Sequence, residues 1–268
     1  MVPDDDIVQQ HRNPAIERMM AILVELEKNP GGLGLKSLVE RTGVTRSTVY
    51  RILNSLEAHE FVRQIDDARY VLGSRLLSLA DGVTTAHDSR EIAKTAQPHL
   101  DALAARLGES CKVSVYDRGF VLVIATAAGN TPHSLHAPVG LHLPIHAGAG
   151  SKVLLAHLPE PEKSAILARA LKKFTDMTLV EPAALRAELD KVRAQGWSRD
   201  HGEFSIAVNA YGAPILNRDG EVVGALSVPF LAGRDPDYEA RVREAALATA
   251  VAIGADISGS VSPSPRPR

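Results

Sequence analysis

A chain of 268 residues with 45% hydrophobic and 23% charged side chains has the make-up of a globular protein of one or two domains with full cores. No apolar run approaches the roughly 18–20 residues of a membrane span, and the opening MVPDDDIVQQ, with three Asp and no basic apolar segment, argues against a secretory leader. A net charge of −2 speaks against an architectural nucleic-acid coat, and the lone Cys111 rules out an internal disulfide, so a cytoplasmic protein is expected.

In chain order, the first clear helical period covers residues 14–28. Asn13 suits an N-cap, Pro14 suits the first helical position, and Ile16, Met19, Leu23 and Leu26 recur on one face. Asn29-Pro30-Gly31-Gly32 ends it. A short helix over about 36–42 buries Leu38 and stops at Gly43, a residue type that favours helix ends. A third helix follows over about 45–59, with Val49, Ile52, Leu53 and Leu56 at helical spacing. From Phe61 the period becomes that of strands, and 61–65 and 69–73 flank the polar turn Asp66-Asp67-Ala68 as a hairpin. Three helices and a hairpin in this order are the winged helix-turn-helix pattern. Ser74 then caps a helix whose Leu76, Leu79, Ala80 and Val83 form a narrow stripe, suited to a linker helix that packs on a partner chain.

Beyond residue 91 the pattern is mixed. Helices are expected at 91–107, 150–158, 161–172, 182–195 and 236–257, and strands at 111–117, 120–126, 204–211 and 221–229. Strands in pairs with helices outside them predict an antiparallel α+β sheet. The expected layout is a winged helix-turn-helix domain over 1–74, a linker helix over 75–90, a second domain over 91–257 and a disordered tail from 258 to 268.

The second helix of a helix-turn-helix enters the major groove, where its first residues meet base edges. Here it opens Thr45-Arg46-Ser47-Thr48-Val49-Tyr50-Arg51. With Val49, Ile52 and Leu53 turned inward, Arg46, Ser47, Thr48, Tyr50 and Arg51 become the candidate DNA contacts. Arg63 and Arg69 flank the hairpin tip, within reach of the backbone or minor groove. Residues 41–75 hold six arginines, no lysine and four acidic residues, a local selection that suits phosphate and guanine. On charge alone, an ordinary solvated surface fits equally well.

The segment TGVTRSTVYRILNSLEAHEFV resembles the helix-turn-helix of the IclR family of bacterial regulators. VGLHLPIHAGAGSKVLLAHLP, QGWSRDHGEF and YGAPILNRDGEVVGALSV resemble its effector domain, so the likeness covers about 12–257 in the family's order. The resemblance implies a GAF-like effector domain that oligomerises and binds a small organic ligand, often a carboxylate or an aromatic-degradation metabolite. It also implies a dimer or tetramer, whose two-fold symmetry calls for an inverted-repeat operator; neither a cofactor nor an enzymatic activity is expected. Carried over by motif, the ligand-binding positions are Leu143, Ala149, Gly150, Asp200, Ala210 and Ser227. The family commonly has cysteine at Ala210 and serine at Pro229, so this pocket should be less polar and suit a bulkier ligand. A physical reason exists at His146-Ala147-Gly148-Ala149-Gly150, which runs into a helix whose first N–H groups lack partners and favour an anion. A tight turn that needs glycine only for its backbone fits the same residues.

Two other readings compete. His133, His136, His142 and His146 raise the question of a metal-sensing protein, although no compact ligand spacing such as HExxH occurs. A small-molecule hydrolase would use Ser227 as nucleophile with His146 and Asp200, but there is no GxSxG elbow and Ser227 lies in a strand pattern.

Overall fold

Pro14 fixes the backbone of a first helical turn, and the Asn13 side chain accepts the Ala15 N–H at 2.9 Å, so helix α1 (Pro14–Glu27) begins with an orphan donor satisfied. The computed structural model describes residues 13–65, 68–81, 86–131, 135 and 137–260. Two units follow one another, Met1–Ala86 and His87–Arg268.

In the first unit α1 leads to β1 (Leu33–Gly34), α2 (Leu35–Thr42), α3 (Arg46–Ala58), β2 (Val62–Ile65), β3 (Arg69–Leu72) and α4 (Arg75–Asp81). The strands pair antiparallel in the order β1-β3-β2, so the expected hairpin gains a third strand. Two residues are too few to show a period of two, which hides β1 from the sequence. Ile22, Leu26, Leu38, Val49, Leu53, Leu56, Val62 and Tyr70 close the core. The linker stripe is seen only in part. Leu77 and Leu79 are exposed on α4, whereas Val83 lies outside the described residues.

The second unit contains α5 (Ala86–Leu107), which crosses the unit boundary, then β4 (Cys111–Asp117), β5 (Phe120–Ala127) and β6 (His142–Pro144). After them come α6 (Ala149–His157), α7 (Glu160–Leu167), α8 (Pro182–Gln195), β7 (Ser198–His201), β8 (Val208–Leu216), β9 (Val222–Leu231) and α9 (Pro236–Ser260). Six strands form one sheet in the order β6-β5-β4-β9-β8-β7, every pair antiparallel. Alternation sorts its residues between two faces. Val113, Tyr211, Ile215, Leu226, Val228 and Phe230 pack against Leu100 of α5 and Val242, Ala246 and Ile253 of α9. Val121, Ile145 and Ala225 pack with α6, α7 and α8 on the other side.

Four expectations shift. The strand read at 204–211 is β8 at Val208–Leu216, because Phe204 and Ile206 are exposed loop residues whose apolar character extended the period falsely. The helix read at 161–172 stops at Leu167, and the following chain is organised by Thr178, whose hydroxyl accepts the N–H groups of Phe174 and Thr175. α5 starts at Ala86 rather than 91, with Pro98 inside it. The last helix continues through Ser258 to Ser260, and 261–268 lie outside the described residues. Among the described residues no helix is long and apolar enough to cross a membrane.

Candidate DNA interface and ligand cavity

The turn into α3 is made by Gly43, whose φ of 67° lies in the left-handed region that favours glycine, while the Thr42 hydroxyl donates to the Leu38 carbonyl at 2.7 Å. With Val49, Leu53 and Leu56 committed to the core, α3 turns Arg46, Ser47, Tyr50 and Arg51 to solvent, and Tyr50 is 52% exposed. Thr48 is half-buried, its hydroxyl hydrogen-bonded to that of Thr45 at 2.9 Å. Arg46, Ser47 and Tyr50 border one shallow groove with Leu35; Thr48 and Arg51 border another, beside Ile16 and Met19 of α1. Among the described residues, no acidic side chain pairs with Arg46, Arg51 or Arg63. Arg69 is placed differently. Its guanidinium donates to the Gly31 carbonyl at 2.9 Å and braces the wing on the loop before β1.

The second unit holds a cavity of about 340 Å³ between the sheet and the first turn of α6. Leu143, Ala149, Gly150, Asp200, Ala210 and Ser227 all line it, although they come from five separate elements. Register explains the convergence. Lys112 on β4 faces Ser227 on β9, which faces Gly212 on β8. Two residues along, Pro229 faces Ala210, which faces Asp200 on β7. The two positions that depart from the family pattern are thus cross-strand neighbours and form one apolar patch.

Helix α6 reaches the sheet closely because Gly212 has no side chain: a Cβ there would lie 2.7 Å from the Ala149 carbonyl carbon and 2.7 Å from Ser198 Oγ. Gly148 precedes the helix with φ of 108°, so glycine is needed for the backbone as well as for access. Asp200 is 4% exposed, and its Oδ1 accepts the Glu203 N–H at 2.7 Å. Burial raises its pKa; the Glu203 amide and the Lys152 and Lys112 charges act the other way. Val121, Leu135, Leu141 and Val208 add apolar wall. Phe204 lines the cavity too, packed on Phe174 with centroids 5.0 Å apart.

The four histidines do not converge among the described residues. His142 bonds Asp117 at 2.9 Å and His146 bonds the Lys172 carbonyl at 2.9 Å, while His133 and His136 lie outside the described residues. No group of three or more His, Cys, Asp or Glu stands ready for a metal among the described residues. With His146 and Asp200 engaged by backbone groups, neither bonds to Ser227.

Sequence reasoning missed the buried Lys152 and the half-buried Lys112, because charged side chains default to the surface. Lys152 on α6 is 1% exposed and donates to Glu203 at 2.5 Å, to the Arg199 carbonyl at 2.6 Å and to Glu188 at 3.1 Å. Burial pushes Glu203 up to about 7 against the pull of Lys152. Lys112 keeps some accessible surface and lines the cavity. Desolvation lowers its ammonium to about 8, opposed by the charge of Asp200. The spacing of Lys112 and Ser114 on one face of β4 was the available signal.

A three-helix unit with a wing and a face that exposes Arg46, Arg51 and Arg63, joined to an antiparallel α/β unit around a small cavity, is the build of a DNA-binding regulator. The chain belongs to the IclR family: the model described as "Bacterial transcriptional regulator IclR C-terminal" matches residues 84–255, and "IclR helix-turn-helix domain" matches 15–66. It is a DNA-binding transcription regulator, of a family that is not enzymatic. The glycerol operon regulatory protein of Streptomyces coelicolor is 32% identical over 250 residues, which is 90% of this chain and 96% of that one. The crystal structure of the Thermotoga maritima IclR aligns with a TM-score of 0.72 at 25% identity, over 95% of this chain and 100% of that one. An IclR homolog from Microbacterium hydrocarbonoxydans, complexed with 4-hydroxybenzoate, shares the fold with a TM-score of 0.68 at 23% identity, over 90% of this chain and 100% of that one.

Proposed function

We propose that the protein binds an inverted-repeat operator as a dimer or dimer of dimers, with α3 of each subunit in a major groove. A small organic ligand, carboxylate or aromatic-derived, enters the cavity of the second unit and changes operator affinity. Two-fold symmetry in the protein calls for two half-sites about one DNA turn apart. Arg46, Ser47, Thr48, Tyr50 and Arg51 meet bases and phosphates, and Arg63 on the wing meets backbone. Arg69 joins them while still bracing the wing. The exposed Leu77 and Leu79 of α4 favour self-association near the DNA-binding unit. Ligand binding acts by its differential affinity for two placements of the DNA-binding units, and by no more than that difference.

The observation that carries the ligand half is the convergence of six residues from five elements on one cavity. That the fold is able to take an aromatic hydroxy acid is said of the Microbacterium homolog, and the apolar Ala210–Pro229 patch gives this cavity room for a similar body. Asp200→Asn is the test. Asparagine keeps an acceptor for the Glu203 N–H and changes what the side chain offers a ligand. Operator affinity without ligand should stay as in the wild type, while ligand-driven change in that affinity falls at least about tenfold in ligand concentration. An unaltered ligand titration would remove Asp200, and with it this cavity, from the response.

A further inference from the structure

Two lysines at the sheet and its covering helix, the buried Lys152 and the half-buried Lys112, are treated oppositely. Lys152 has three acceptors within 3.1 Å. Lys112 has neither a hydrogen bond nor an ion pair among the described residues, although its side chain lines the cavity. A half-buried ammonium with no acceptor among the described residues is poorly compensated, whereas a lysine kept for architecture would be paired as Lys152 is.

The other ionisable group on the cavity wall is Asp200. It does not neutralise Lys112, since no ion pair joins them within 4.0 Å. Sheet order explains the separation. Lys112 stands on β4 and Asp200 on β7, with β9 and β8 between them. Three strand spacings of about 4.8 Å separate the two backbones, and the long lysine side chain closes part of that gap. The wall between the poles is Ser227, then the apolar Ala210–Pro229 pair.

We infer that Lys112 is the cationic pole of the cavity and Asp200 its acceptor pole, so that the effector is a carboxylate whose apolar body carries a hydroxyl or amino donor at its far end. The inference rests on the ligand-cavity reading above and adds the ligand's charge and polarity to it. The carboxylate takes a charge-assisted bond from the Lys112 ammonium and supplies the counter-charge that the free protein lacks. The donor end meets Asp200, whose Oδ1 is engaged by Glu203 N–H. An ammonium near pKa 8 is still mostly charged at neutral pH, as the pairing requires.

The probes are para-hydroxyphenylacetate, its primary amide and phenylacetate, titrated calorimetrically into the full-length wild type and Lys112→Met. Methionine keeps the volume and deletes the charge. Wild-type protein is expected to bind the hydroxy acid about tenfold or more tightly than the amide, and more tightly than phenylacetate. In Lys112→Met the acid and the amide should bind about equally. Three results overturn the assignment: an acid preference that survives in Lys112→Met, an amide bound by wild type as well as its acid, or no binding of any probe. The first two leave the cavity standing as a ligand site, whose own fate is decided by Asp200→Asn.

Discussion

Lys152→Met is expected to cost the second unit about 3–5 kcal/mol of stability at neutral pH, the scale seen when one partner of a buried ion pair is removed. The ammonium ties the first turn of α6 to Glu188 of α8 and to the Arg199 carbonyl and Glu203 beside β7. Methionine fills the space but leaves Glu203, 5% exposed, with no cation, and one of its oxygens already lacks a hydrogen-bond partner. Glu203 is the group that makes the loss depend on pH. Its folded pKa is already raised to about 7, so the folded state takes up a proton more readily than the unfolded chain, and Glu203 weakens stability as pH rises through that window. Without Lys152 its pKa climbs further, and protonation relieves the strain. The deficit should therefore be largest above neutrality and shrink towards pH 5. Urea unfolding at several pH values reads this directly, and a second substitution, Glu203→Leu, should restore much of the loss. A deficit under about 1 kcal/mol that ignores pH would mean that the cluster is solvated and contributes no more than a surface pair.

Gly212→Ala should be nearly as damaging although it adds one methyl group. The new Cβ would meet backbone, the Ala149 carbonyl, at under 3 Å, and backbone in a helix cannot rotate away as a side chain would. Either α6 lifts from the sheet or β8 bends, at about 1–3 kcal/mol or more. Because Ala149 and Gly150 line the cavity, the lift also distorts the ligand site. Thermal melting should fall and the ligand-driven change in operator affinity should weaken together. Melting and response both at wild-type values would show that α6 is not seated on Gly212 as described. Gly150→Ala is the useful contrast, since its Cβ would sit 3.5 Å from Ser227, an ordinary contact.

The first unit was legible because its signals are local. Asn13 and Pro14 start α1, Gly43 stops α2, and the spacing of Val49, Leu53 and Leu56 assigns the inner face of α3. The second unit was legible in class but not in detail. β7 reads SRDH, with no apolar alternation to mark it, because its inward residues are Ser198 and Asp200 rather than aliphatics. β6 has three residues, one a proline, and is an edge strand. Phe204 and Ile206 misled in the opposite direction, as apolar residues that are exposed. Of the cavity, the positions taken from family motifs converge in space, yet the resemblance was silent on Lys112, Ser114 and Phe204, which the sheet register and the loop after β7 bring to the same wall. The buried Lys152 cluster had no sequence signal at all: Lys152, Glu188 and Glu203 are far apart in the chain, and only tertiary folding brings them together.

The most direct test of the whole account is retardation of the protein's own upstream DNA against a scrambled duplex of the same composition, at moderate salt, for wild type and Arg51→Ala. If α3 lies in a groove with its arginines towards the bases, wild type prefers its own DNA, and Arg51→Ala loses roughly 1–3 kcal/mol on that DNA with a smaller loss on the scrambled one. Equal losses on both duplexes would remove Arg51 from base reading, and a wild type that does not distinguish them would contradict the placement of α3 on DNA.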